Sequence, residues 1–155
     1  MLLLAVKNNL GIIAGDIGNA FCTAPCAEKI WSVAGDDFGP RNGCVVTLNR
    51  ALYGLNTASS SFHNFFCDFL IELGFESSRV DQDIWLQKSD EYEGYDYVVT
   101  HVDNIIIVAK AQVKYMDVIQ QHFLVRDVTD SPDYYLGNDL IREGNKIHVS
   151  TKNDV

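Results

Sequence analysis

The chain has 155 residues, of which 47% are hydrophobic and 21% are charged, and its formal net charge is −9 at pH 7. This composition is typical of a globular protein and excludes a disordered one, and the length suits one domain or part of one. The negative charge excludes nucleic-acid binding through the overall field of the chain, so such a role requires a local site. The apolar start at residues 1–6 is too short to span a membrane and lacks the features of a signal peptide, so we expect an intracellular, cytoplasmic protein.

The first part of the chain predicts three short strands. Residues 10–17 form an apolar stretch that ends at Asp16 and is followed by a turn. Residues 29–34 and 44–48 predict two further strands, and the loop of residues 35–43 between them is rich in chain-breaking residues. Asp16 is therefore expected at the end of an apolar strand.

A helix is predicted to begin near Thr57, with serines at residues 59–61 available as caps, and to stop at Gly74. Its apolar residues recur at the spacing of one helical face, and they are Phe62, Phe65, Phe66, Phe69, Leu70 and Leu73. This stripe predicts a face that packs in the core rather than a ligand site.

Strands and helices continue to alternate in the rest of the chain. We expect a strand at 84–87, an acidic loop at 89–95, a helix at 111–123, and a hairpin of residues 134–142 and 146–150 with its turn at 143–145. Because the strands are joined both by hairpins and by helices, the pattern predicts an α+β fold.

A hairpin with a carboxylate at its tip is predicted at residues 97–108. Two apolar, β-branched stretches flank the polar interruption His101-Val102-Asp103-Asn104. Aspartate and asparagine are also common turn residues, because they tolerate left-handed backbone and bond to their own main chain. From this segment alone, a plain hairpin and a functional one are equally compatible with the residues.

Asp16 and Asp103 form a candidate pair of carboxylates, because each lies at the end of an apolar strand. Such a pair suits magnesium, which takes oxygen ligands and keeps water and substrate phosphate. Two magnesium ions stabilise the attacking and leaving oxygens of a phosphoryl transfer. The alternative is that these are two unrelated surface aspartates.

The four cysteines are Cys22, Cys26, Cys44 and Cys67. A zinc site of Cys22, Cys26, His63 and Cys67 is an alternative, but the cysteines lack the paired spacing of zinc knuckles. Reduced, mostly buried thiols are the favoured interpretation.

Four short motifs follow one another along the chain. They are Gly15-Asp16-Ile17-Gly18-Asn19-Ala20-Phe21, Ala51-Leu52-Tyr53-Gly54-Leu55, His101-Val102-Asp103-Asn104 and Tyr135-Leu136-Gly137. Their order and spacing resemble the reverse transcriptase of copia-type long-terminal-repeat retrotransposons over nearly the whole chain. That family has an Asp-Val-x-x-Ala-Phe strand end, a Leu-Tyr-Gly-Leu-Lys-Gln-Ala block before a helix, and a Tyr-Val-Asp-Asp hairpin.

The resemblance implies the palm of a right-hand polymerase, an antiparallel sheet with helices packed on one face. It implies that Asp16 and Asp103 bind Mg²⁺ and catalyse RNA-directed transfer of nucleotides onto a primer. Phe21 matches the aromatic steric gate that excludes the ribose 2′-hydroxyl of an incoming nucleotide. The implied partners are a primer–template and deoxynucleoside triphosphates.

The chain departs from the family pattern at positions that bear on activity. Asn104 stands at the third aspartate, a metal position, and its amide oxygen can coordinate but has no charge. Thr57 replaces the glutamine expected near the incoming nucleotide, and Asn56 replaces a lysine. We therefore expect a chain that is inactive or impaired by itself.

The resemblance further implies that residues 1–155 are a single palm-like fragment of a polyprotein. The N-terminal part of the fingers, the thumb and ribonuclease H are expected to be absent from it and needed for function. In intact relatives the family works in cytoplasmic virus-like particles. The alternatives are a non-catalytic relic or binding module that keeps the fold, and an unrelated α+β domain.

Overall fold

A six-stranded antiparallel sheet forms the centre of the first of two compact units, which comprises Met1–Gly18 and Leu70–Val155. The structure is a computed structural model and describes residues 1–135, 137–144 and 146–151. Numbered in chain order, the strands are β1 (Gly11–Ile17), β2 (Trp31–Val33), β3 (Val45–Thr47), β4 (Glu76–Ser77), β5 (Ile84–Lys88), β6 (Tyr95–His101), β7 (Asn104–Ala109), β8 (Val125–Thr129), β9 (Tyr134–Tyr135), β10 (Asn138–Glu143) and β11 (Lys146–Thr151). The helices are α1 (Leu2–Lys7), α2 (Ala20–Thr23), α3 (Ala58–Glu72) and α4 (Gln112–His122), and a 3₁₀ helix covers Asp36–Arg41.

The strand order of the large sheet is β4-β5-β6-β7-β1-β8, so β1 lies between β7 and β8. The predicted strands and the α+β class are confirmed by this arrangement. Strands β1 and β7 are buried on both faces, which explains why both segments are almost continuously apolar.

The two helices of the first unit lie on opposite faces of the sheet. Met116 of α4 faces Gly15, where an added Cβ would lie 3.4 Å from its Cε atom. Ala5 of α1 is buried in a cluster with Ile12 and Ile106, whose side chains point the other way. The prediction that the helices pack on one face is therefore wrong for α1, because its short apolar segment buries itself against the second face.

Strand β8 was not predicted from the sequence. Its residues are mostly exposed and polar, so they carry no clear hydrophobic pattern. The pairing of β1 with β8 is interrupted by a bulge, since Ala14 pairs with Thr129 and Asp16 pairs with Arg126. Asp127 lies within the bulge and has a left-handed backbone, with φ +49°. A bulge at the edge of a sheet changes the direction in which the neighbouring side chains point.

Strands β10 and β11 pair as the second predicted hairpin. The prediction of one strand over residues 134–142 is wrong, because β9 and β10 are separate strands that pair antiparallel with each other, which makes a three-stranded sheet. Leu136 of the Tyr135-Leu136-Gly137 motif and Asn145 of the predicted turn lie outside the described residues. None of the helices in the described part of the chain is long and apolar enough to cross a membrane.

The second unit, Asn19–Phe69, contains α2, the ribbon of β2 and β3, the 3₁₀ helix and most of α3. The predicted phenylalanine stripe of α3 is confirmed as a packing face, with Phe62, Phe66 and Phe69 buried. Their rings stack in succession, at centroid distances of 5.8 Å for the first pair and 6.0 Å for the second. Residues 18–21 were predicted as a turn, but α2 begins at Ala20.

The structure gives no support to the zinc alternative. None of the four cysteines forms a disulfide. The prediction that they are mostly buried is wrong, because Cys44 is exposed and the other three are only half-buried. In residues 1–135, 137–144 and 146–151, no three histidine, cysteine or acidic side chains form a group that could hold a metal ion. Cys67 and His63 lie one helical turn apart, with 3.6 Å between Sγ and Nδ1.

A buried carboxylate stabilises the first unit through a tyrosine of α4. Asp96 has 1% of its surface exposed, and its Oδ2 accepts a hydrogen bond of 2.9 Å from the Tyr115 hydroxyl. Its Oδ1 has no hydrogen-bond partner among the described residues. Burial first, and then the hydrogen bond to Asp96, raises the pKa of Tyr115 above its ordinary value of 10. The folded chain therefore favours the neutral tyrosine.

We expect Tyr115→Phe to lower the free energy of unfolding at neutral pH by about 1–3 kcal/mol, because it leaves Asp96 without its donor. The contribution of Tyr115 to the free energy of unfolding is fully present below about pH 10, and it is lost as the pH rises through the pKa of Tyr115 in the folded chain. Denaturant unfolding of both proteins between neutral and alkaline pH measures this. Tyr92 and Tyr97, whose pKa values burial also raises, contribute the same slope to both proteins. If the difference in the free energy of unfolding between the unmodified chain and Tyr115→Phe stays constant above about pH 10, the expectation is contradicted.

Candidate functional site

A tight hairpin presents Asp103 at one end of the large sheet. Strand β6 ends at His101 and β7 begins at Asn104, and these two residues pair across the hairpin. The turn is therefore Val102 and Asp103 alone, shorter than the four-residue interruption predicted from the sequence. Val102 has φ +56°, an uncommon backbone conformation for a β-branched residue. A positive φ at this position matches the twist of two paired strands, which explains why the turn closes so tightly.

The end of β1 lies directly beside this hairpin. Asp16 pairs with Asn104 in the β1–β7 ladder. The backbone N–H of Ile17 donates a 2.8 Å hydrogen bond to the carbonyl oxygen of Asp103. Two predicted site residues that are far apart in sequence, Asp16 and Asp103, thus lie on adjoining segments at one corner of the sheet.

Electrostatic repulsion couples the charged groups at this corner. The pKa of Asp16 is raised, first by burial and then by the nearby carboxylates of Asp103 and Asp127, while Arg126 opposes the rise. The Asn104 amide donates to the Asp103 Oδ1 at 3.4 Å, a long hydrogen bond. The corner is therefore acidic, and an added cation would relieve the repulsion within it.

A cavity of about 250 Å³ opens beside Asp16. Its lining comes from β1, β7, β8 and β9, and consists of Ala14, Gly15, Asp16, Asn104, Ile105, Asp127, Thr129, Tyr134 and Tyr135. The Tyr135 hydroxyl is buried and has no hydrogen-bond partner among the described residues. Asp127 and Thr129 were not predicted as site residues, because the exposed, polar sequence of β8 does not reveal a strand there. Tyr135 belongs to the fourth sequence motif, and that motif is the sequence signal that could have identified Tyr135 as a residue lining this cavity.

The donor atoms at this corner fit a hard divalent cation. Asp16 and Asp103 offer carboxylate oxygens, and Asn104 offers an amide oxygen. Magnesium is usually bound by one or two carboxylates and completes its shell with water and substrate phosphate.

Phe21 and Thr57, the other predicted site residues, belong to the second unit. The Phe21 ring is half-buried and lies 4.7 Å from the Tyr53 ring, centroid to centroid. Thr57 donates a hydrogen bond from its hydroxyl to the carboxylate of Glu28. The contact between Phe21 and Tyr53 connects the first and second sequence motifs, and it was not predicted from the sequence. The roles of Phe21 and Thr57 stay predictions.

The profile of the reverse transcriptase (RNA-dependent DNA polymerase) family matches residues 1–155. The chain is also similar to the retrovirus-related Pol polyproteins from transposons RE2 and RE1 of Arabidopsis thaliana. It is 25% identical to each over 157 aligned residues, which cover 98% of this chain, 11% of the RE2 polyprotein and 10% of the RE1 polyprotein. The chain thus spans about a tenth of the length of these relatives. The resemblance stated from the four motifs is confirmed, and the chain belongs to the reverse transcriptase family.

Proposed function

We propose that the corner formed by Asp16 and Asp103 is the polymerase site of a retrotransposon reverse transcriptase. One observation carries the proposal: the Asp16 strand end pairs with the first residue after the Asp103 turn. The pairing supports the proposal because Asp16 lies within β1 and Asp103 lies in a two-residue turn closed by the β6–β7 ladder, and a preorganised site requires such rigid support. The ancestral reaction is transfer of a nucleotide from a deoxynucleoside triphosphate to a primer 3′-hydroxyl.

In this proposal the carboxylates of Asp16 and Asp103 hold Mg²⁺. Bound divalent cations would stabilise the attacking and leaving oxygens of the phosphoryl transfer. Asp16 is half-buried, so water screens its charge less than it would at a fully exposed position. The fixed backbone of the two-residue turn holds Asp103 without the entropy cost of ordering a loop.

Asn104 weakens the site in this proposal. It occupies the position of the third aspartate in the family pattern, and its amide oxygen contributes no charge. The proposed site therefore has one negative charge fewer than the family pattern. The missing charge favours impaired catalysis. It is also compatible with the alternative, a relic that retains the fold without catalysis.

The proposal extends to the second unit and to the partners. Phe21 would act as the steric gate against the ribose 2′-hydroxyl, and Thr57 would lie in the region that serves the incoming nucleotide. Primer–template and deoxynucleoside triphosphates are the proposed partners. Other regions of the polyprotein would supply phosphate contacts, because a chain of net charge −9 has few to offer.

Replacing Asn104 by aspartate is expected to tighten Mg²⁺ binding by about tenfold, because it adds a charge within reach of the cation. Titration calorimetry with magnesium chloride measures this. Asp103→Asn should weaken binding by a similar factor. Asn49→Asp, an exposed position in the second unit, is the matched control and should change little. If Asn104→Asp does not improve binding, residue 104 is not a ligand position and the alignment of the hairpin motif is wrong.

A further inference from the structure

Strand β8 places a positive charge beside Asp16, one of the two carboxylates of the candidate site. Arg126 is the direct partner of Asp16 in the β1–β8 ladder, so the two side chains lie on the same face of the sheet. Asn104 pairs with Asp16 from the other side. Asp16 is therefore flanked by a neutral amide on one strand and by a guanidinium on the other.

The Arg126 side chain passes close to the backbone of a glycine. A Cβ added to Gly18 would lie 2.7 Å from the Arg126 Nε and 3.1 Å from its Cζ. The guanidinium thus crosses the backbone two residues after Asp16, in space that any other residue at position 18 would fill. Arg126 is exposed, so a ligand can reach it from solvent.

We propose that Arg126 makes this site favour a divalent cation that carries a phosphate group over the free cation. The inference rests on the proposed function, and it assigns a specificity-determining role to a residue that the sequence motifs did not include. The chemical class of ligand is a magnesium complex of a polyphosphate, such as the triphosphate of a nucleotide.

The physical reason is that one fixed positive charge acts with opposite sign on the two ligands. A free divalent cation at Asp16 is repelled by Arg126, and this repulsion is twice that felt by a monovalent ion. A polyphosphate bound to the same cation brings several negative oxygens, and a guanidinium donates charge-assisted hydrogen bonds to such oxygens. Asp103 and Asp127 repel the polyphosphate, so Arg126 is needed to offset them.

The test is Arg126→Gln, compared with the unmodified chain by titration calorimetry. The first probe is magnesium chloride alone, and the second is magnesium tripolyphosphate at a constant level of free magnesium. We expect the dissociation constant to fall about fivefold for the free cation and to rise at least fivefold for the polyphosphate complex. Arg126→Lys keeps the charge and should stay near the unmodified chain for the free cation.

Lys114→Gln is the matched control, because it removes one positive charge from the exposed side of α4, on the opposite face of the sheet. It should shift neither constant by more than about twofold, since screening by salt weakens distant charges. If Arg126→Gln shifts both constants in the same direction, or neither, the inference is overturned while the cation site stands. If Asp16→Asn leaves magnesium binding unchanged, the cation site itself is overturned, and the inference with it.

Discussion

Replacing Phe69 by alanine is expected to lower the free energy of unfolding by about 3–5 kcal/mol. Phe69 is buried, and its ring stacks on Phe66 at a centroid distance of 6.0 Å. Truncation removes apolar surface from the core and leaves a cavity that the neighbouring aromatic rings fill only in part. An effect of this size is a large fraction of the stability of a typical small protein.

Urea or guanidinium unfolding followed by circular dichroism measures this loss. Ile71→Ala is the control, because Ile71 lies on the same helix but is 58% exposed, and it should cost about 0.5 kcal/mol or less. Equal losses for the two variants would show that Phe69 does not pack as the structure places it.

No detectable DNA synthesis is expected from the unmodified chain when it is supplied with magnesium, primer–template and deoxynucleotides. With Asn104 in place, the site has two carboxylates where the family pattern has three. Loss of one preorganised electrostatic contact can lower a rate by about two to three orders of magnitude. The chain also spans only about a tenth of the length of the Arabidopsis relatives, so we expect primer–template binding to depend on other regions.

Extension of a labelled primer, separated on a denaturing gel, is the measurement. Asn104→Asp should bind magnesium more tightly and still fail to give processive synthesis, because it adds no contact to the phosphate backbone. Robust extension by the unmodified chain would show that Asn104 does not disable the site, and the proposed impairment would have to be abandoned.

Local sequence patterns were sufficient for the elements that carry the site. The apolar stretches that lead to Asp16 and that follow Asp103 predict strands because each is buried on both faces of the sheet, and burial demands apolar residues. The phenylalanine stripe predicted α3 for the same reason, since its 3.6-residue period reports one buried helical face. In each case the physical signal lies within a few neighbouring residues.

The order of the motifs linked Asp16 and Asp103 to one candidate site, which hydrophobic periodicity could not do. Spacing alone favoured the interpretation of Asp16 and Asp103 as two unrelated surface residues. The resemblance implied that they belong to one site, and the ladder between β1 and β7 then placed their segments side by side. The family itself was therefore readable from the sequence.

Only the tertiary structure decided what surrounds Asp16. Strand β8 is an exposed edge strand, and its polar residues pair through their backbone, so side-chain patterns do not reveal it. The bulge at Asp127 and the register of Arg126 depend on hydrogen bonds to β1, which lies more than a hundred residues earlier in the chain. By itself the sequence determined the buried strands, the packing helix and the family. The charges that tune the site were decided by long-range strand pairing, because that pairing is made by backbone groups common to all residues.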